Sequence, residues 1–207
     1  EILSVQVRDP KLAPIVPTVA GRASVASLSR RGKHILFDLG DRTLVLHLRM
    51  SGRLAWGTRE PTGKVRLSLR FPDGGAHLVD PRRLGTAAVV ERFVDELGPE
   101  PFGDLAWLPA ALARSRMPVK LWLMDQKKIA GIGNIYAAEI LFRAGIAPTR
   151  PAGSLSRKEV ARLEDAIPSV LERAIAAGGT TLADGLYRGP TGENGEFRYE
   201  LSVYGRE

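Results

Sequence analysis

The run from Pro118 to Pro148, PVKLWLMDQKKIAGIGNIYAAEILFRAGIAP, constrains this chain more than any other. It reads as a helix, a tight glycine turn and a second helix opened by Asn134. Gly131 and Gly133 supply backbone angles that residues with a Cβ avoid. A helix N-terminus presents unsatisfied N–H groups and a partial positive charge, and so holds a phosphate well. Lys120, Lys127 and Lys128 lie nearby in sequence. The hairpin is thus a candidate clamp for a nucleic-acid backbone. Glycines also let two helices pack closely with no ligand involved, and the turn alone leaves both readings open.

Composition narrows the field. With 207 residues and 44% hydrophobic content, the chain can bury a real core as one large domain or two small ones. No apolar run approaches the roughly 20 residues that span a bilayer, and no charged-then-apolar leader opens the chain, so a cytoplasmic protein is expected. There is no cysteine, hence no disulfide and no cysteine zinc site within these residues. His34, His47 and His77 lack helical metal spacing and read as packed or solvent-facing side chains. A net charge of +7 points to a polyanionic partner, although many basic proteins bind no nucleic acid specifically.

The first ninety or so residues read as strands. Val65–Phe71 (VRLSLRF) alternates apolar and polar, the period of a half-buried strand. Ile2–Val7, Ile35–Leu39 and Thr43–Leu48 are also β-rich, and Gly40-Asp41, Gly57 and Pro72-Asp73-Gly74-Gly75 punctuate them. This rhythm suggests a β-sandwich or barrel. Pro99, Pro101 and Gly103 mark a boundary near residue 100. Helices are expected at Asp104–Ala113, in the hairpin, and after Ser156-Arg157-Lys158-Glu159, a capping-box pattern. Pro168 should kink that last helix or force a local adjustment, and Gly178-Gly179 should stop it. Phe197–Arg206 reads as β-like. The expected architecture is α+β: an antiparallel sandwich over 1–100, then a helical domain over 101–207.

The hairpin closely resembles the helix–two-turn–helix of the formamidopyrimidine-DNA glycosylase family, which excises oxidised bases. RRGKHILFDL (30–39), HLRMSGRL (47–54), DPRRLG (80–85) and VYGR (203–206) resemble further family blocks in family order. The resemblance therefore covers nearly the whole chain.

It implies double-stranded DNA with oxidised bases or abasic sites as partner, and a monomer. A base must leave the stack before it is excised, which requires phosphate grips and side chains that fill the void. By resemblance, Lys33, His47, Asn134 and Tyr204 grip phosphates. Met50 is the void filler, and the first arginine of the DPRRLG loop, Arg82, pairs with the orphaned opposite base. An arginine fork suits a base edge. Leu84 stands where the family usually has phenylalanine, a loss of stacking worth about 1–3 kcal/mol by analogy with single-strand binding. Lys120 matches a lysine near the lesion. The segment from Gly178 to about Glu196 resembles the loop over the extruded base, with the Thr180 carbonyl accepting from the protonated N7 of 8-oxoguanine. Ala183 replaces a frequent lysine or arginine there. These residues have ordinary alternatives: surface lysine, solvated basic turn, strand histidine, core methionine, helix cap, core tyrosine, connector.

The family's catalytic N-terminal proline and glutamate are not among these residues, and neither is its four-cysteine zinc finger. The chain is expected to be part of a longer protein whose complete form carries one structural Zn2+. The purine-acting branch is favoured by DPRR-L-G and GGTT. A non-catalytic damage binder, an oxidised-pyrimidine enzyme of the same family and an RNA-associated protein remain alternatives.

Overall fold

A computed structural model describes residues 1–15 and 23–205, so Arg206 of the VYGR block lies outside the described residues. The chain divides into two compact units. One comprises Glu1–Val94 and Thr180–Gly195; the other comprises Asp95–Gly179 and the segment beginning at Glu196. The loop after the last long helix thus groups with the strands, although it follows the helices in sequence.

The first unit holds two antiparallel four-stranded sheets. The strands are β1 (Ser4–Val7), β2 (Ser27–Arg31), β3 (His34–Asp38), β4 (Thr43–His47), β5 (Arg53–Gly57), β6 (Val65–Phe71), β7 (Gly74–Val79) and β8 (Thr86–Val90). Their orders are β1-β6-β7-β5 and β2-β3-β4-β8. Phe37, Leu44 and Leu46 from the second sheet share one buried cluster with Leu67, Leu69 and Leu78 from the first. This is the sandwich that the turn spacing predicts.

Strand β6 departs from its expected half-buried character. Its polar residues Arg66 and Ser68 are as buried as its leucines, at 1% exposure each. The cause is local. Val65 pairs with Val79 but Leu67 pairs with Leu78, so Arg66 is an extra residue in a bulge. Its guanidinium enters a charged interior. Nε donates to Asp9 Oδ2 at 2.7 Å, and Nη1 donates to Asp80 Oδ2 at 2.9 Å and to the Gly85 carbonyl at 2.6 Å. Ser68 Oγ pairs with His77 Nδ1 at 2.8 Å, which accounts for the second buried polar residue.

In the second unit the helices are α1 (Leu108–Ala113), α2 (Val119–Met124), α3 (Asn134–Ala144) and α4 (Arg157–Ala176). The capping box forms: Ser156 N donates to Glu159 Oε2 at 2.8 Å while Ser156 Oγ accepts from Glu159 N at 3.4 Å. Helix α4 continues through Pro168 and ends before Gly178 and Gly179, at φ 69° and 89°. The expected terminal strand does not form; Phe197–Glu200 is a 3-10 turn. The N–H groups of Ser202, Val203 and Tyr204 all donate to the Glu139 carboxylate, so no strand ladder uses them. Among the described residues, no helix is long and apolar enough to cross a membrane.

The buried charges set an expected acid lability. Hydrogen bonding from Arg83 holds Asp9 well below the usual carboxylate range. Burial raises Asp80, but Ser51, the Gly85 N–H and Arg66 more than offset it. Depressed carboxylates stabilise the fold above their unfolded pKa near 4 and lose that contribution as pH falls through the folded value. Asp80→Ala should cost about 3–5 kcal/mol, the range for a broken buried ion pair. Urea unfolding measures it; a loss below about 1 kcal/mol would contradict the network's role.

Candidate nucleic-acid interface

In the first unit the predicted residues gather at one end of the sandwich. Cross-strand register places His34 opposite His47, and His47 opposite Thr86. The β2–β3 turn with Lys33, the end of β4 with His47, and the start of β8 are therefore adjacent. The turn from β4 to β5 carries Met50, 74% exposed, and the β7–β8 loop carries Leu84, 39% exposed.

One carboxylate ties these two loops together. Asp80 Oδ1 accepts from Ser51 Oγ at 2.5 Å and from the Arg82 N–H at 3.3 Å, while Oδ2 accepts from the Gly85 N–H at 2.7 Å. Both loops are bent by a residue with positive φ: Arg49 at 55° and Arg83 at 58°, each just before an exposed apolar side chain. Gly52 is required by close approach, since a Cβ there would lie 2.4 Å from the Leu48 carbonyl oxygen. The two loop arginines have separate fates. Arg83 grips Asp9 with Nε at 2.9 Å and Nη2 at 2.5 Å. The Arg82 side chain is exposed and makes no hydrogen bond or ion pair among the described residues.

His47 is held neutral. Burial, then the charges of Arg49, His34 and Lys33, lower its pKa to about 4. Its Nδ1 accepts from the Arg49 N–H at 2.9 Å, which puts the ring proton on Nε2 as a neutral donor. The His34 ring stands edge-on to it at 4.8 Å. Burial likewise lowers the ammonium pKa of Lys33.

Thr180 is buried at the base of the 180–195 loop. Its neighbour Thr181 closes that loop: Oγ1 accepts from the Gly195 N–H at 2.7 Å and donates to the Tyr187 carbonyl at 2.8 Å. The Trp56 N–H donates to the Pro190 carbonyl at 2.7 Å, which docks the loop on the edge of β5.

In the second unit the hairpin forms, with a correction at its turn. Gly131 has φ 83°, but Gly133 has φ −114°, an angle open to any residue. Gly133, not Asn134, is the N-cap of α3, and no side chain caps the helix. Asn134 is exposed as the first helical residue, so the helix-cap alternative falls away. A side chain that sequence reading overlooked builds the turn. Gln126 Nε2 donates to the carbonyls of Met124 and Ile132 at 2.8 and 2.9 Å, and Oε1 accepts from the Gly131 N–H at 2.9 Å. Glu139, buried on α3, binds the Tyr204 N–H at 2.8 Å and so fixes Tyr204 to the helix that starts with Asn134. Lys120 sits half-buried on α2.

Asp9, Arg66, Asp80, Arg83, Gln126 and Glu139 are the residues that motif reading missed. Only the placement of Asp80 and Arg83 inside the DPRRLG block could have flagged them. Among the described residues, no group of three or more His, Cys, Asp or Glu could hold a metal ion.

Comparison with known proteins places the chain among relatives of one family. Residues 1–87 match the formamidopyrimidine-DNA glycosylase N-terminal domain, and residues 97–185 match the formamidopyrimidine-DNA glycosylase H2TH domain. The formamidopyrimidine-DNA glycosylase of Halorhodospira halophila is 45% identical over 213 residues, covering 97% of this chain and 78% of that protein. That of Desulfitobacterium hafniense is 42% identical over 193 residues, covering 87% and 70%. The MutM (Fpg) structure from Thermus thermophilus superposes with a TM-score of 0.88 at 40% identity, covering 99% of this chain and 79% of that one. Lactococcus lactis Fpg in complex with abasic-site DNA gives 0.85 at 30% identity, covering 99% and 81%.

The His47 assignment predicts a ring titration with its midpoint near pH 4 in the free protein. Between the unfolded value of about 6.5 and that midpoint, only the unfolded chain takes up the proton, so His47 lowers stability as pH falls through this window. Proton NMR of the His47 ring checks this; a midpoint above 6 would refute the neutral donor.

Proposed function

Because the chain belongs to the formamidopyrimidine-DNA glycosylase family, we propose that the protein removes oxidised purines, 8-oxoguanine and formamidopyrimidines, from double-stranded DNA by base flipping, with an accompanying AP lyase activity. One observation carries the reading most of the way. Two exposed apolar side chains, Met50 and Leu84, and the unpaired Arg82 stand on two loops that a single buried carboxylate holds together.

In this reading Met50 and Leu84 enter the space vacated by the flipped base, and the Arg82 fork meets the orphaned opposite base. Lys33 and neutral His47 from the strand unit grip phosphates, one as a point charge and the other through Nε2–H. Asn134 and Tyr204 do the same from the helical unit, with the N–H groups at the start of α3 adding their partial positive charge. The pinned loop beginning at Thr180 offers main-chain acceptors to the extruded base, and Lys120 lies toward the lesion by resemblance. Leucine rather than phenylalanine at position 84 supplies bulk without an aromatic face, so its wedge works by shape alone.

The reaction that the family implies uses an N-terminal proline amine to attack the sugar C1′ and form an imine, with a glutamate moving protons. Neither group is among these residues. A structural zinc ion is also part of the reading, but the residues present do not fit one: the chain has no cysteine. Solved relatives include Lactococcus lactis Fpg variants in complex with Fapy-dG DNA, which supports the purine assignment.

Borohydride trapping tests the chemistry. The complete protein encoded by the natural gene should form a covalent adduct with a duplex carrying 8-oxoguanine opposite cytosine. Tight binding with no adduct would mean a clamp without catalysis. The residue roles are separable by a second comparison. Asn134→Ala should weaken binding to damaged and undamaged duplexes alike, while Met50→Ala should impair excision more than nonspecific binding. Equal losses for Met50→Ala in both assays would assign it to packing instead.

A further inference from the structure

A cluster of cations in the strand unit is left over once these roles are assigned. Arg53 at the start of β5, Lys64 just before β6 and Arg188 in the 180–195 loop line a common cavity of about 300 Å3. Ser51, Thr62 and Gly185 complete its polar wall, and no aspartate or glutamate lines it. Elsewhere in the same unit, Arg8, Arg66 and Arg83 each hold a carboxylate. The side chains of Arg53, Lys64 and Arg188 hold no carboxylate and make no hydrogen bond among the described residues.

Three like charges around one cavity repel one another, and the half-buried Arg53 is the most exposed to that cost. Burial and then the charge of Arg188 lower its pKa. Converging cations without a carboxylate are relieved by an anion entering between them. Guanidinium forks match the tetrahedral oxygens of a phosphate in pairs, and an ammonium adds a point charge. A hydroxyl at Thr62 and the side-chain-free backbone of Gly185 allow close approach.

We propose that Arg53, Lys64 and Arg188 form an oxyanion site for a phosphate group, separate from the phosphate grips at Lys33, His47, Asn134 and Tyr204. The phosphate comes either from a DNA backbone or from a free phosphate species. Two of the cations belong to the sheet and its β5–β6 connection and one to the loop, so occupancy would tie the loop that starts at Thr180 to β5 and β6. The DNA source rests on the function proposed above; the free-phosphate source does not.

The test uses the complete natural protein, its Arg188→Gln variant and, as a second position, Arg53→Gln. Thermal unfolding is followed with sodium phosphate replacing chloride at constant ionic strength. Binding to an undamaged duplex is measured against salt concentration. Phosphate should raise the midpoint of the wild type, and both variants should lose that rise, through loss of ligand linkage. If DNA supplies the phosphate, Arg188→Gln should also flatten the log–log salt dependence by about one unit. A phosphate effect with an unchanged salt slope supports the site and names a free phosphate as its ligand. A flattened slope without a phosphate effect supports the site and names the DNA backbone. No phosphate effect together with an unchanged slope overturns the proposal. If the wild type binds no duplex at all, the function proposed above fails, and the phosphate arm alone still decides the site.

Discussion

The strand unit depends on the carboxylate of Asp80. It is fully buried, yet it receives donors from two loops and from the interior guanidinium of Arg66. A charge in such a place is tolerable only when fully paired, because desolvation otherwise outweighs attraction. Asp9 completes the pairing from the other side of Arg66 and also holds Arg83. The bulge in β6 is what delivers Arg66 to this point. Three sequence-distant segments are thereby locked at the end of the sandwich where Met50, Arg82 and Leu84 emerge. Apolar packing builds the sandwich; the charged interior decides where its loops stand.

The helical unit uses the same device in a milder form. Gln126 replaces three backbone partnerships that the irregular turn cannot make for itself, and the Glu139 carboxylate collects three successive N–H groups from the terminal segment. In both units one polar side chain with several acceptor or donor sites shapes irregular backbone beside an exposed candidate contact. Irregular backbone needs such partners because its own groups cannot pair in a ladder.

Much of this fold was legible in the sequence, for a physical reason. Strand alternation, the glycine turn before Asn134 and the Ser156–Glu159 capping box are signals spanning a few residues, and each is present in the structure. The candidate site residues were singled out only through the ordered blocks that resemble the family. What stayed hidden was non-local. Asp9 and Arg83 are 74 positions apart, and nothing in either neighbourhood announces the other. Alternation sent Arg66 and Ser68 to solvent, because neither the bulge at Arg66 nor the His77 partner of Ser68 leaves a mark on apolar periodicity. The described part of Phe197–Arg206 has strand composition but forms no strand, and Glu139 takes three of its N–H groups. The loop from Thr180 follows α4 in the chain yet docks on β5, where the Trp56 N–H donates to the Pro190 carbonyl.

The two left-handed arginines have a consequence for how fast this surface can engage a partner. Arg49 and Arg83 hold positive φ angles that cost roughly 1–2 kcal/mol each relative to ordinary backbone. That cost is met during folding, by the contacts around Asp80 and Asp9. The loops therefore have little ordering left to undergo when a partner docks. Preorganised surfaces lose less conformational entropy on association and dock closer to rigid bodies. A surface that need not rearrange at each encounter can sample many of them quickly.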